Sequence, residues 1–544
     1  MTHTKVQQAV AAILAVSAAG AASAVDITSV PAGNVVYIGG STAIDAGLQA
    51  YWANTSTNAL CNAASASGGI DTYQFTGATN RNFKAVACAA SAATGIADTL
   101  ITYVKEDTGG SANGVNQVNN NTTLGFPDFT TLTSGNCPAG TTTAPTGQQT
   151  QTPHTCGSGF TTSTTTAPNL GFADVEAALF GLGTGNLSSF STIDLVFAPT
   201  ASLGLYHALQ DVQGKGNTDT IADQPSLARA QLTSIFQGTV TDWANVKVGT
   251  TPVGSTSASV NFGNSGRSGT NPVCWDGTTA FSTGASCTNG TQGPSVAPAN
   301  TTVYICERSD VSGTQQTAYM YFGNVACVTS LQKFVRMAKP NTSCSASGCG
   351  WSTTFNTLTI FAGDGTGDLL SCLEAHDQQG HYAIGFASID NGWGTYQSNT
   401  ARKDFRYVAV DGISPSIENA AAGRYAYWAQ SVGYKPVSGG NVAAGVAGTL
   451  VSVMSTGSTA FGNVSQLKAI NQSFQYTAPA FDGGFNAIPG NAGATANKMS
   501  DTLSTFRNNP VSNFTKVVSG STANCQTPYA VSGAEIGTPV WQTP

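Results

Sequence analysis

Four short runs combine small residues with hydroxyls or a lone charge: "GGSTA" (39–43), "DTGGSANGV" (107–115), "GFADVEA" (171–177) and "RSDVSGT" (308–314). Glycine lets a backbone N–H approach an anion closely, serine and threonine donate directly, and arginine offers a planar pair of donors matched to a tetrahedral oxyanion. Each run sits at a junction between strand-like and helix-like sequence. There, free N–H groups and the positive end of a helix lie together at the carboxyl edge of a sheet, which is where α/β sheets take ligands. Singly, each run has a plainer reading. In a chain with 62 glycines a G-S-T or S-G-T triplet serves as a turn or cap, Asp174 is a good N-cap, and Arg308 can pair with Asp310 on a surface. The ordered set of four is what favours an anion site.

The segments that must position these runs alternate in type. Residues 34–40 ("NVVYIGG"), 99–107 ("TLITYVKED") and 192–199 ("TIDLVFAP") read as strands, while 43–54, 173–183, 226–238 and 313–327 carry helix-like patterns. Strand-then-helix alternation predicts an α/β protein with largely parallel sheets. Two stretches lack apolar periodicity and read as surface insertions, the Thr-rich 138–168 and 249–301.

Composition narrows the function. Charged residues make up 9% of the chain, and a net charge of -7 with 21 Lys+Arg and no basic block argues against nucleic acid and against an anionic membrane surface. The first 24 residues join a basic residue, a short apolar run and Ala22-Ser23-Ala24, so they read as a secretory signal cleaved after Ala24, placing the protein in the periplasm or outside the cell. No later stretch predicts membrane insertion. The first cysteine is Cys61, so a lipid anchor at the cleavage site is not expected. Twelve cysteines without a C-x-x-C pair predict disulfides, with Cys61/Cys88, Cys137/Cys156, Cys274/Cys287 and Cys344/Cys349 as local candidates.

Markers of other chemistry are missing from the sequence. There is no G-x-S-x-G elbow, P-loop or H-E-x-x-H. His376 and His381, with Glu374 and Asp377 nearby, do not have a helical ligand spacing, and His154 and His207 have no recognisable partner set. Neither a metal nor another cofactor is expected.

The ordered runs resemble those of the PstS-type phosphate-binding proteins of bacterial ABC importers, within the type II periplasmic binding proteins. "RSDVSGT" matches the Arg-x-Asp-x-Ser-Gly-Thr loop of that family, "GGSTA" its first glycine-rich loop, "GGSANGV" its second and "GFADVEAAL" its third. Further similarity lies at 231–246, 380–390 and 410–428, and little is recognisable from 430 to 544. The resemblance implies a phosphate site made of Thr42, the N–H of Ala43, Ser111, Asp174, Arg308, Ser312, Gly313 and Thr314, with Asp310 in support. It also implies a two-lobed fold with a hinge and a central cleft. Lobe I would comprise 25–196 plus 384–544, and lobe II 197–383. Implied too are a non-enzymatic role, inorganic phosphate as ligand, an ABC permease as partner and a monomeric state. Two departures stand out: the spacings Thr42 to Ser111 and Ser111 to Asp174 are long, each enclosing a cysteine pair, and Ala43 replaces a bulky aromatic. A secreted phosphatase-like relative and a secreted structural protein that kept the fold are the alternatives.

Overall fold

The computed structural model describes residues 25–531 apart from 67, 77–82, 217–218, 249, 254–272, 276–280, 284–297, 299, 324–353, 356–357, 364, 379, 392–404, 458, 475–482, 490–493, 496, 498–502 and 519–520. The signal-like segment, most of the 249–301 stretch, and Cys287, Cys344 and Cys349 lie outside the described residues.

The fold is mixed α/β around one large sheet. Its strands are β1 (Val35–Gly40), β2 (Ile70–Phe75), β3 (Phe83–Ala89), β4 (Leu100–Glu106), β6 (Thr152–Cys156), β8 (Leu170–Ala173) and β9 (Leu187–Ser202), followed by β10 (Tyr304–Arg308), β11 (Thr354–Phe355), β12 (Leu358–Gly363), β13 (Ala383–Ser388) and β15 (Trp428–Pro436). β5 (Leu124–Pro127) and β7 (Thr162–Thr166) form a separate ribbon, while β14 (Phe405–Tyr407) and β16 (Phe485–Ala487) pair with β9. The order across the sheet is β11-β12-β10-β13-β9-β15-β8-β1-β4-β3-β2-β6.

Two parallel triplets organise it. β1 runs parallel to β4 and β8, and β10 runs parallel to β12 and β13. Val36 and Ile38 of β1 are fully buried, as are Ile305 and Cys306 of β10, which accounts for the apolar runs in their sequences. β9 joins the triplets: residues 187–196 pair antiparallel with β15 and residues 197–201 with β13. The expectation of a largely parallel sheet is therefore corrected. Antiparallel pairs surround each triplet because the chain adds hairpins and return strands at its edges.

Those additions explain the long spacings. Between Thr42 and Ser111 the chain inserts the β2–β3 hairpin, zipped onto the outer edge of β4. Between Ser111 and Asp174 it inserts the β5–β7 ribbon and the edge strand β6, which pairs with β2. The Thr-rich stretch thus holds regular structure at a sheet edge, where backbone pairing needs few apolar side chains. Disulfides Cys61–Cys88 and Cys137–Cys156 form as expected, and Cys137 and Cys156 join a satellite core with Phe75, Phe83 and Phe126. Cys306–Cys372, unforeseen in the sequence, links β10 to the helix α6 described below.

Helices α1 (Asp45–Ala53), α2 (Gly110–Asn119), α3 (Leu203–Val212), α4 (Arg229–Phe236), α5 (Gly313–Gly323) and α6 (Thr366–Gln378) pack on the sheet. The helix expected over 173–183 is only a 3-10 turn, Ala177–Phe180, ended by Gly181 with φ 70°. Tertiary contacts take its backbone instead: the Ala177 N–H donates to the Tyr434 hydroxyl at 2.9 Å, and the Glu176 carboxylate accepts from the N–H and side-chain amide of Asn524, both at 2.9 Å. So short a segment lacks the length to hold a helix against such competition.

Replacing Cys306 and Cys372 together by alanine opens a link across a sequence separation of 66. We expect this to cost about 2–4 kcal/mol in urea unfolding. An unchanged denaturation midpoint would show that packing alone holds α6 on β10.

Candidate functional site

Five strand-to-helix junctions meet at the carboxyl ends of the two parallel triplets. After β1 come Ser41, Thr42 and Ala43; the Ala43 N–H donates to the Ser41 hydroxyl at 3.1 Å, so Ser41 caps the turn. After β4, Gly109 and Gly110 adopt φ of 77° and 57°, a left-handed turn that glycine tolerates, and this places Ser111 in the first turn of α2. Asp174 follows β8. Arg308 ends β10, and α5 begins at Gly313. The fifth junction, after β12, brings Thr366 at the first position of α6.

These groups bond to one another. The Ser111 hydroxyl accepts the N–H groups of Asp174 and Gly313, both at 3.2 Å, one from each triplet. The Asp174 carboxylate accepts from the Thr314 hydroxyl at 3.1 Å and from the Ser41 hydroxyl. Arg308, only 2% exposed, donates from Nε to the Gly363 carbonyl at 3.2 Å and from Nη1 to the hydroxyls of Thr366 and Thr42, at 2.9 and 3.4 Å. The two threonine hydroxyls share a hydrogen bond of 3.2 Å. Gln315 on α5 grips the Arg308 strand, accepting the Arg308 N–H at 2.9 Å and donating to Glu307 at 3.1 Å.

The packing is tight. A Cβ placed on Gly313 would lie 2.6 Å from both the Ser111 hydroxyl oxygen and the Asp174 Cβ. The Ala112 N–H donates to the Val311 carbonyl at 3.0 Å, closing the same seam by backbone. Ser312 is buried and its N–H donates to the Ser309 carbonyl at 2.9 Å.

The structure therefore brings Thr42, Ala43, Ser111, Asp174, Arg308, Ser312, Gly313 and Thr314 to one place. Asp310 turns away: its carboxylate accepts from the Tyr319 hydroxyl at 2.7 Å, and it lines a separate groove with Val311 and Phe180. Sequence reasoning missed Ser41 and Thr366. The signal for Thr366 was present in "GDGTGD" (363–368), a fifth glycine-rich junction of the same kind.

Beneath the amino-terminal half lies a buried ion cluster. The Lys105 ammonium contacts Asp45 and Asp107, each at 2.6 Å, and donates to the Gly40 carbonyl at 3.2 Å. Lys84 reaches the same carboxylates at 2.5 and 3.1 Å. Burial would raise the Asp107 carboxyl, but Lys105 and Lys84 together hold it down to about 2. Burial also pushes Asp174 upward, opposed by the Ser41 hydroxyl and by the charge of Arg308.

A cavity of about 700 Å³ opens beside Thr42 and Thr366, bounded by Asp45, Lys84 and Asp390 among others. The sulfurs of Cys306 and Cys372 lie with a His376 nitrogen within 4.8 Å of one another, but they are joined as a disulfide and so are not thiolates. His376 and His381 approach at 3.2 Å between Nδ1 atoms, and burial lowers both below the usual histidine range. Among the described residues, no helix is long and apolar enough to cross a membrane.

No family model matches the chain, and no curated protein matches it. Some solved structures show a partial likeness. A putative phosphate ABC transporter substrate-binding protein with bound phosphate from Clostridium perfringens shares 13% identity at a TM-score of 0.26, covering 51% of this chain and 70% of that one. PstS from Borrelia burgdorferi shares 10% at 0.27, covering 74% and 87%. An ABC-type phosphate transport receptor from Vibrio cholerae shares 13% at 0.23, covering 49% and 67%. Likenesses of this size assign no ligand.

The site carries a pH signature. Burial pushes the Asp390 carboxyl up to about 7, with the Ser388 hydrogen bond opposing and Asp45 adding. The folded chain thus keeps a proton that the unfolded chain loses near 3.8. Stability from this group is complete below that lower value and is lost as pH rises toward the upper one. Asp390→Asn cannot ionise, so its melting temperature should gain on the wild type as pH rises from about 4 to about 7 and hold that lead above it. A difference that stays flat across that range would show that the fold accommodates the carboxylate.

Proposed function

We propose that the protein is an exported solute-binding protein that takes phosphate between two lobes, 25–196 with 384–544 and 197–383, and that it is not an enzyme. One observation carries this reading: the buried Arg308 guanidinium meets the hydroxyls of Thr42 and Thr366 where Ser111, Asp174 and Thr314 also converge. A cation, several hydroxyl donors and the first turns of α2, α5 and α6 at one point form a site for a tetrahedral oxyanion. The hydrogen bonds now made between these groups would be exchanged for bonds to the ligand as the lobes part and reclose. Export is supported by the disulfides and by the signal-like start of the sequence. Delivery to an ABC permease as a monomer is the role that fits such a binding protein.

Asp174 would set selectivity. Hydrogen phosphate brings a proton that a carboxylate can accept, whereas sulfate brings none and faces repulsion. A site built around a ligand's hydrogen bond can reject an analogue lacking it by about 10⁴-fold.

Calorimetric titration of dialysed protein tests the reading: phosphate should give heat and raise the melting temperature, and the absence of both would overturn it. Arg308→Ala should weaken phosphate binding by about 2 kcal/mol or more. Wild-type affinity in a folded variant would remove Arg308 from the site. Asp174→Asn should raise sulfate affinity while phosphate still binds. An unchanged phosphate-to-sulfate ratio would leave Asp174 as a structural link between Ser41 and Thr314.

A further inference from the structure

The hydroxyl-bearing residues Thr42 and Thr366 border two spaces. On one side they meet Arg308; on the other they form part of the wall of the cavity of about 700 Å³. A free phosphate ion fills a small fraction of such a volume, and cavities of about 300–1,000 Å³ are typical of organic ligands. The wall carries neutral hydrogen-bonding groups: Gln74 and Thr155 line it, together with Gln49, Gln148 and Asn391, whose amide groups already donate to Gln151, Ser473 and Ser388, beside the ring of Phe474.

Its charged groups restrict what can enter. Lys84 is already held by Asp45 and Asp107, at 2.5 and 3.1 Å, and His154 by Asp71 at 3.1 Å. Asp368 accepts the Gly365 N–H at 2.9 Å and keeps a second carboxylate oxygen, and Asp390 stands on the same wall. A second phosphate group would therefore face carboxylates. Hydroxyl groups both donate and accept, and so suit a wall of amides and carboxyls. Gln148 and Thr155 come from the stretch that Cys137–Cys156 closes, which gives that insertion a role.

Resting on the phosphate reading above, we propose that the site accepts phosphate as the head group of a monoester of a neutral polyol. The phosphate lies against Arg308 and the polyol in this cavity, with the ester link taking the place of the hydrogen bond that now joins the Thr42 and Thr366 hydroxyls.

The test is parallel calorimetry on the dialysed full chain with inorganic phosphate, glycerol phosphate, glucose phosphate and pyrophosphate. At least one ester should bind no more weakly than the free ion, and pyrophosphate more weakly than both. Gln74→Leu and Thr155→Val, on the wall formed by β2 and β6, should each weaken the ester by about fivefold, the worth of one hydrogen bond, and leave inorganic phosphate unchanged. If inorganic phosphate binds and neither ester does, the proposal falls while the phosphate reading stands. If none gives heat, the phosphate reading falls as well. Ester binding that both variants leave unchanged also overturns the proposal, because the organic group then lies elsewhere.

Discussion

The Lys105 ammonium is the fixed point of the amino-terminal half of the site. It is 1% exposed, and its three contacts lie on three different pieces of chain. Gly40 leads into Ser41, Thr42 and Ala43, Asp45 opens α1, and Asp107 precedes the glycine turn that aims Ser111. Removing one member of such a buried set leaves unpaired charge behind, typically at about 3–5 kcal/mol. The two loops that present hydroxyls therefore cannot shift independently. Lys84, reaching in from β3, completes the neutralisation, so the inserted hairpin is tied to the site by charge as well as by strand pairing.

The other half is held by different means. Gln315 fastens the end of β10 to α5 through two hydrogen bonds, and Cys306–Cys372 fastens β10 to α6, so the elements bearing Arg308 and Thr366 form one block. Several polar contacts run from one block to the other at the site, including Ser111 with Gly313, Asp174 with Thr314, and Thr42 with Arg308 and Thr366. The neutral bonds among these contribute about 0.5–1.5 kcal/mol each, and those made by the Asp174 carboxylate and the Arg308 guanidinium about 1.5–3 kcal/mol. Each half is thus tied within itself by ion pairs or a disulfide, while the seam is closed by single hydrogen bonds.

The sequence made the site more legible than the sheet. Junction residues such as Ser111, Asp174 and Arg308 were visible because small residues and hydroxyls at a strand end have a local physical meaning. Lys105, Asp45 and Lys84 gave no such sign: their partnership arises only when β3, β4 and α1 come together. The 173–183 run misled for a related reason, since helix propensity there is outweighed by Tyr434 and Asn524, both more than 250 residues away. The Thr-rich stretch hid β6 and β7 because an edge strand is specified by its neighbour's backbone more than by its own apolar pattern. The antiparallel surroundings of the two triplets were equally beyond reach, depending on which edges the insertions join.

Gly313 has a consequence for how this gene can vary. Its missing Cβ is matched on the far side of the seam by Ser111 and Asp174, at distances no side chain could share. Every base change in the first or second position of a glycine codon adds a side chain or ends the chain, so this codon can drift silently only in its third position. A compensating change would have to shrink Ser111 or withdraw Asp174, and either step removes a group that bonds across the seam. Mutational history at this position is therefore closed in single steps, whereas Ser312 beside it carries a Cβ already. A saturation library would record the difference as one empty column next to a populated one.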